Sequence, residues 1–461
     1  MSALASILVQ RGHRVTGSDL CESQALKHLR SLGVHIFHHQ NAATIESICR
    51  NVDEAPLLVI STAIPDANLE LQAAREQKLS IWHRSDILAS LIASQPSIAV
   101  AGSHGKTTTS VLITTLLAAA GEDPAAAVGG IIPCYRSNGY AGGGRLLVAE
   151  ADESDGTLVK FRAELAVITN LELDHTDYYP HLGVLIRTMQ QFGRGCRTLL
   201  ANHDDPILRH HLQASAWWSI RTSLNVDYAC LPIKFDGNYT VAELFEHGSP
   251  YGRIVIPLPG LHNLSNVTAA IAACRLAGLS MNRVLSGLSQ LQSPSRRFDF
   301  RGTWQGRFIV DDYAHHPSEV RATLSTARMM VQSGYSPLPT SPRRLLVVFQ
   351  PHRYSRINKF LADFADAFGE ADVLFLAPVF AAGEAPVDGI NSGKLAAAIQ
   401  ERCPKLPVIV AEDLNQLTDF VQECSVYGDL VLVMGAGDIN TLWNRLTLPE
   451  KASTCQSLLS A

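Results

Sequence analysis

The segment Gly102-Ser-His-Gly105-Lys106-Thr107 has the residue types of a phosphate cradle. A short apolar run, Ile98–Ala101, leads into it, and a helix-like run from Ser110 to Ala120 follows. Strand, glycine turn, Lys-Thr and helix together turn backbone N–H groups and a helix N-terminus toward an anion. Lys106 adds a point charge, and the Thr107 hydroxyl can hold Mg²⁺. The pattern predicts binding of a nucleoside triphosphate. A longer loop of the G-x-x-x-x-G-K-[ST] type would need its first glycine where Val100 stands, so the loop is of a compact form.

Two acidic segments accompany it. Strand-like Leu146–Ala149 runs into Glu150-Ala-Asp-Glu-Ser-Asp155, and strand-like Leu165–Ile168 runs into Thr169-Asn-Leu-Glu-Leu-Asp-His-Thr-Asp177. Mg²⁺ takes hard oxygen ligands together with phosphates, which makes Thr107, Glu150 and Asp174 candidate donors, with His175 available to a second metal. The competing reading of the 150–155 acids is a helix cap. In an open parallel sheet, ligands lie beyond the carboxyl ends of the strands, so both segments are expected to face the glycine loop.

The elements that would position these groups alternate helix and strand throughout, which indicates an α/β chain of three domains. Residues 1–95 form the first: helix-like 2–11, strand-like 14–19, helix-like 23–32 and strand-like 57–60. It reads as Rossmann-like, yet it begins with a helix, without the first strand and glycine loop such a domain normally has. Residues 96–298, opened by Gln95-Pro96, form a central P-loop ATPase-type α/β domain. Residues 299–461 read as a further parallel, Rossmann-like sheet, with strand-like runs at 308–310, 344–349, 372–377, 407–410 and 429–434. Met434-Gly-Ala-Gly-Asp438 is a glycine turn opening a final helix, and Pro337, Pro339 and Pro342 mark a loop.

The totals narrow the class. With 461 residues the chain can bury a core in each domain. Charged residues are 18% and the net charge is −5, so nothing favours a nucleic-acid or membrane surface. No apolar run approaches the ~18 residues of a membrane span. The N-terminus lacks a basic leader and a cleavage signature. Nine cysteines are scattered without a C-x-x-C pair, as in a reduced cytoplasmic protein.

These motifs closely resemble those of the Mur ligase family of peptidoglycan synthesis. Ala101-Gly-Ser-His-Gly-Lys-Thr-Thr108, Ala149-Glu-Ala-Asp-Glu-Ser-Asp155 and Thr169-Asn-Leu-Glu-Leu-Asp-His175 carry the resemblance. So do Pro259-Gly-Leu-His-Asn-Leu-Ser-Asn266, Ser295-Arg-Arg-Phe298, Asp311-Asp-Tyr-Ala-His-His-Pro317, Phe349-Gln-Pro-His-Arg-Tyr-Ser-Arg356 and Met434-Gly-Ala-Gly-Asp-Ile439, in order along nearly the whole chain. The resemblance implies ATP-dependent joining of L-alanine to the carboxylate of UDP-N-acetylmuramate through an acyl phosphate, in cell-wall precursor synthesis that serves cell shape and division. It implies that Gly102, Ser103, His104, Gly105, Lys106, Thr107 and Thr108 hold ATP, with Thr107 and Glu150 on one Mg²⁺ and Glu150 and His175 on a second. His262, Asn263 and Asn266 would line the adenine site, Arg297 would reach the ATP, and Asp312 would hold the ribose. Tyr313, His315, His352, Arg353 and Arg356 would bring the third domain over the substrates, with His315 or His352 a candidate base for the amine.

The departure lies at the front. The family's first strand and glycine turn approach the UDP diphosphate, and Met1-Ser-Ala-Leu-Ala5 matches the helix after that turn. The expectation is a start at an internal methionine or a lost element. It leaves Ser18, Asp19, Ser61, Thr62, Ala63 and Arg84 as candidates on the UDP side. A ligase joining a recycled peptide to the same sugar nucleotide, and an inactive ATP-binding homologue, stay open as alternatives. A monomer or weak homo-oligomer is expected.

Overall fold

The structure is a computed structural model and describes residues 1–50, 54–334, 338 and 340–447; Pro337 and Pro339 lie outside the described residues. The chain divides into two units, residues 1–235 with 239–295, and residues 236–238 with those from 296 onward.

In the first unit, four short strands come before the strand that leads into the glycine loop: β1 (Thr16–Ser18), β2 (His35–Phe37), β3 (Leu58–Ile60) and β4 (Ile81–His83). They form two separate parallel pairs, β1–β2 and β3–β4. A cleft of about 1570 Å³ lies among these elements and is lined by Val15–Asp19, Leu58–Ser61 and the first turns of the helix Ser2–Gln10. The helix-first order read from the sequence is thus observed. β1 and β3 are only half-buried along their length, whereas β5 is buried at every residue.

Ten strands then make one sheet: β5 (Ser97–Ala101), β6 (Ala125–Ile132), β7 (Ser137–Tyr140), β8 (Leu147–Glu150), β9 (Leu165–Ile168), β10 (Thr198–Asn202), β11 (Ala216–Ser219), β12 (Tyr228–Phe235), β13 (Thr240–Glu246) and β14 (Ser249–Ile256). Their order is β14-β13-β12-β11-β10-β9-β5-β8-β6-β7. The central strands are parallel; β12, β13 and β14 extend the sheet as an antiparallel meander, and β7 returns antiparallel on β6. Alternate residues face opposite sides. Ile98 and Val100 pack with the helices Lys106–Ala119 and Leu261–Leu276, whereas Ala99 and Ala101 pack with Arg84–Ser94 and Leu182–Gly195. Val100 is fully buried inside β5. The strand therefore runs through the place where a longer loop would begin.

The second unit has a six-stranded sheet: β15 (Asp299–Trp304), β16 (Arg307–Asp312), β17 (Leu345–Phe349), β18 (Val373–Leu376), β19 (Val408–Val410) and β20 (Leu430–Met434), ordered β15-β16-β20-β17-β18-β19. The reading as a parallel sheet holds for β16 through β19, but β15 is antiparallel to β16. The glycine turn after β20 opens a 3₁₀ turn, Asp438–Thr441, before the helix Leu442–Thr447. Cores cover both faces of this sheet.

Candidate nucleotide and ligase site

β5 is flanked by β8 and β9, with Val100 in register with Glu150 and Ala101 with Ile168. The loop after β5 and the acidic segments after β8 and β9 therefore emerge side by side at the carboxyl edge, as the sequence predicts.

The loop owes its shape to the segment after β9. The Ser103 N–H donates to the Asn170 carbonyl at 3.1 Å, and the His104 N–H donates to Asn170 Oδ1 at 2.8 Å. Thr169 Oγ1 donates to the His104 carbonyl at 2.6 Å, and Ser103 Oγ donates to the Glu172 carbonyl at 2.8 Å. Gly102 has φ +127°, and a Cβ there would stand 2.2 Å from Thr169 Oγ1. Gly105 has φ +80°, and a Cβ there would stand 2.7 Å from Asn266 Oδ1. Both positions thus require glycine. Two loop N–H groups that the sequence assigns to an anion are held by Asn170 instead. The first turn of Lys106–Ala119 lies at the same strand edge, and its N–H groups are of the kind that can meet an anion.

The acidic run 150–155 separates into distinct jobs. Thr107 Oγ1 donates to Glu150, at 2.9 Å and 3.0 Å from its two oxygens, and the Gly129 N–H donates to Glu150 Oε2 at 2.7 Å. Glu153, 1% exposed, accepts from Lys106 Nζ at 2.9 Å. Arg84 donates to Asp152 and Asp155 at 3.0 Å and 3.3 Å. Asp155 Oδ1 also accepts from the Thr157 N–H and hydroxyl, two residues on, which fixes the chain just before the 3₁₀ turn Thr157–Lys160. No acid of the run sits at the N-cap of that turn, which is Gly156 without a side-chain cap.

His175 sits at φ +50°, an uncommon conformation for a residue with a side chain. Its Nε2 is 3.7 Å from Glu153 Oε1 and 3.9 Å from Asp174 Oδ2. The donor atoms of Asp152, Glu153 and His175 all lie within 4.8 Å of one another. Two oxygen-rich groups thus flank the loop, Thr107 with Glu150 and His175 with Asp152 and Glu153, and both fit a hard divalent cation.

Charge and burial compete here. Burial works against the charge of Lys106, but Glu153, Asp152 and Glu150 together hold its amine above the ordinary lysine value. Burial raises the Glu153 carboxyl, with Lys106 opposing. Asp152 is held below the ordinary aspartate value: burial pushes it up, and Lys106, Ser154 and Arg84 outweigh that.

Asn263 and Asn266 lie in the first turns of Leu261–Leu276. Asn263 Nδ2 donates to the Pro259 carbonyl at 2.8 Å, and Asn266 Oδ1 accepts from Thr109 Oγ1 at 3.2 Å beside Gly105. His262 occupies the second position of the same helix, and Thr108 is buried on the helix after the loop.

Ser18, Asp19 and Ser61 line the cleft at the carboxyl ends of β1 and β3. Ser18 Oγ donates to the buried Glu70 at 2.6 Å, a partner the sequence reading missed. Thr62 Oγ1 donates to Asp155 at 2.9 Å. Thr62 and Arg84 thereby join the N-terminal segment to the acids beside the loop.

In the second unit, Asp312 is buried. Its Oδ2 accepts the Phe298 N–H at 2.7 Å, and its Oδ1 accepts the Ala314 N–H at 2.8 Å and Thr323 Oγ1 at 3.2 Å. Burial raises its carboxyl to about 6. The Arg297 guanidinium lies 5.3 Å from the Tyr313 ring and 3.6 Å from Glu319. Tyr313, His315 and His352 form a chain of rings with centroids 5.4 Å and 5.7 Å apart. His352 stacks on Phe380 and meets Arg356 Nη1 at 3.0 Å through Nδ1. Arg353 has φ +67° and lies 3.9 Å from Glu384. The structure thus gathers all five third-domain candidates, and adds Glu319, Phe380 and Glu384 to them.

Comparison with known proteins gives a consistent picture. Three family models match in series: "Mur ligase family, catalytic domain" over residues 1–96, "Mur ligase middle domain" over 100–274 and "Mur ligase, glutamate ligase domain" over 296–437. A UDP-N-acetylmuramate–L-alanine ligase of Prochlorococcus marinus (strain MIT 9303) is 63% identical over 461 residues, covering 100% of this chain and 94% of that one. The same-named protein of Synechococcus sp. (strain CC9902) is 59% identical, covering 97% and 96%. Among solved structures, the UDP-N-acetylmuramate-alanine ligase MurC of Thermotoga maritima aligns with a TM-score of 0.79 at 25% identity, covering 97% of this chain and 95% of that one. The MurF ligase of Thermotoga maritima, solved in complex with ADP, shares the fold, with a TM-score of 0.63 at 16% identity over 86% of this chain and 95% of that one.

Proposed function

The chain belongs to the Mur ligase family, and we propose that it is an ATP-dependent ligase joining L-alanine to the carboxylate of UDP-N-acetylmuramate, with release of ADP and phosphate. The observation that carries this is the loop itself: Lys106 and Thr107 begin a helix at the edge of a parallel sheet, facing Glu150 and Glu153. The peptide-joining and inactive alternatives are not favoured, since full-length relatives at 63% and 59% identity share the L-alanine ligase name.

The chemistry explains the parts. A carboxylate is a poor acylating agent because its leaving group would be hydroxide. Transfer of the ATP γ-phosphoryl to the carboxylate of the sugar nucleotide replaces that with phosphate. The amine of L-alanine then attacks the acyl carbon, and the tetrahedral intermediate expels phosphate. Lys106 and the first-turn N–H groups of its helix stabilise charge on the transferring phosphoryl group. Thr107 with Glu150, and His175 with its neighbouring carboxylates, would hold Mg²⁺, which would supply further neutralisation of phosphate charge. Asn263, Asn266 and His262 border the loop on the adenine side. Ser18, Asp19, Ser61, Thr62 and Arg84 serve the UDP portion. On the second unit, Arg297 and Asp312 serve the nucleotide, and Tyr313, Arg353 and Arg356 serve the acceptor. His315 or His352 takes the proton that the amine must lose.

On this reading residues 1–95 bind the sugar nucleotide, 96–298 bind ATP and 299–461 bring the amino acid. No helix among the described residues is long and apolar enough to cross a membrane, and nucleotide substrates suit a cytoplasmic enzyme that is a monomer or weak homo-oligomer. Phosphate release measured with UDP-N-acetylmuramate and each of L-alanine, L-serine, glycine and a tripeptide tests the proposal. Release that prefers L-alanine supports it, and release indifferent to the acceptor removes the specificity claim.

A further inference from the structure

Glu153 has no place among the loop, metal or acceptor residues expected from sequence, yet it is the most buried acid beside the cradle. Its backbone is fixed independently of its side chain: its carbonyl accepts from Tyr179 Oη at 2.6 Å and from the Gly156 N–H at 2.9 Å. The carboxylate reaches Lys106 through both oxygens, 2.9 Å each, although only Oε1 has hydrogen-bond geometry. Lys106 Nζ also donates to the carbonyls of Gly102 at 2.7 Å and Ser103 at 3.2 Å. An ammonium has three donors, so in this arrangement all three are taken by the protein. A phosphate oxygen can be met only after Lys106 gives up at least one of them.

We infer that Glu153 is a positioning residue that parks Lys106 against its own loop, so that nucleotide binding must draw the lysine off a buried carboxylate. This rests on the nucleotide site proposed above. Of the three partners, Glu153 is the strongest, being charged and 1% exposed, where ion pairs are least screened. The two carbonyls belong to the loop and remain available as the ammonium moves. His175 Nε2, 3.7 Å from the same carboxylate, is placed to keep Glu153 company after Lys106 leaves.

Calorimetric titration of the full chain with ADP in EDTA tests this, using wild type, Glu153→Gln, Lys106→Met and the double variant. Glu153→Gln keeps size and an acceptor oxygen but removes the charge, and should tighten ADP binding about tenfold. In the Lys106→Met background the same change should have no effect, because its action runs through the lysine. Tightening that persists without Lys106 would show simple repulsion between Glu153 and phosphate and overturn the inference. Unchanged or weaker binding by a Glu153→Gln protein that melts normally would overturn it too. Should Glu153→Gln not fold, Glu153→Asp, whose shorter side chain loosens the pair, should give a smaller tightening of the same sign, and no tightening counts against the inference. If wild type itself binds no ADP, the proposed nucleotide site is what fails.

Discussion

The Thr107 hydroxyl lies between the two carboxylate oxygens of Glu150, 2.9 Å from one and 3.0 Å from the other. Glu150 ends β8 in register with Val100 of β5, and Thr107 is the second residue of the helix that follows the β5 loop. Sheet register therefore fixes the hard-oxygen pair, and the loop needs only to turn the helix back over the strand ends.

Lys106 lies among the carboxylates of Glu153, Asp152 and Glu150. Replacing it with alanine removes the charge that offsets developing phosphoryl negativity. Acceptor-dependent phosphate release should fall by about 10²-fold or more. A Lys106→Ala protein that melts like wild type and retains near-normal turnover would refute the assignment.

Gly102→Ala places a Cβ 2.2 Å from Thr169 Oγ1 at φ +127°. The cost is expected to be on the order of 3 kcal/mol, combining strain and overpacking. Gly369→Ala, with nothing within 4 Å of its Cβ, should change stability by no more than about 0.5 kcal/mol. Urea unfolding of both variants makes the comparison.

The fold was readable where both faces of a strand are covered. Ile98–Ala101, Leu165–Ile168, Leu345–Phe349 and Leu430–Met434 are continuous apolar runs because parallel strands buried between helices have no polar side. The meander β12–β14 was missed, since its outer positions, Ile233, Tyr251 and Val255 among them, face solvent and blur the pattern. β6 was missed because Ala125-Ala-Ala-Val-Gly-Gly130 is made of weak strand formers. In the site, Thr107 and Glu150 were legible from spacing alone. Glu153 was not: it stands in the same acidic run, and only the turn after β8 decides which acid of that run goes inward. Glu70 beneath Ser18 had no local signal at all.

Asp312 gives the second unit a pH dependence. Its carboxyl titrates at about 6 in the folded chain against an ordinary 3.8, because burial disfavours the anion. The folded state holds the proton more tightly than the unfolded chain. This contribution is fully present below about pH 4 and is lost as pH rises through about 6, to an extent of about 3 kcal/mol. Asp312→Asn cannot titrate. The stability of wild type relative to that variant should therefore decline between pH 4 and pH 7, as read by chemical denaturation at each pH, and a constant difference would contradict the assignment.

Thiol exposure predicts a labelling order. Cys21 and Cys134 are exposed, whereas Cys230 and Cys274 are buried, with Cys230 pushed up to about 12 and Cys274 higher still. Burial also raises Cys134. At pH 8 a thiol reagent should modify Cys21 first and Cys134 more slowly, and reach Cys230 and Cys274 only after unfolding. Peptide mapping after timed quenching reads the order.

The partners that shape the glycine loop, Thr169, Asn170 and Glu172, lie 65 to 69 residues downstream of the groups they bind. The fingerprint is local in sequence, but the object it names is not. During translation, the loop leaves the ribosome long before the strand that holds it, and for that interval the growing chain carries a nucleotide signature without a nucleotide site. Affinity arrives as a step once β9 has paired with β5. A fragment ending before residue 165 would therefore spell the motif and lack the site, and grafting the loop onto another protein would have to carry the second strand end with it.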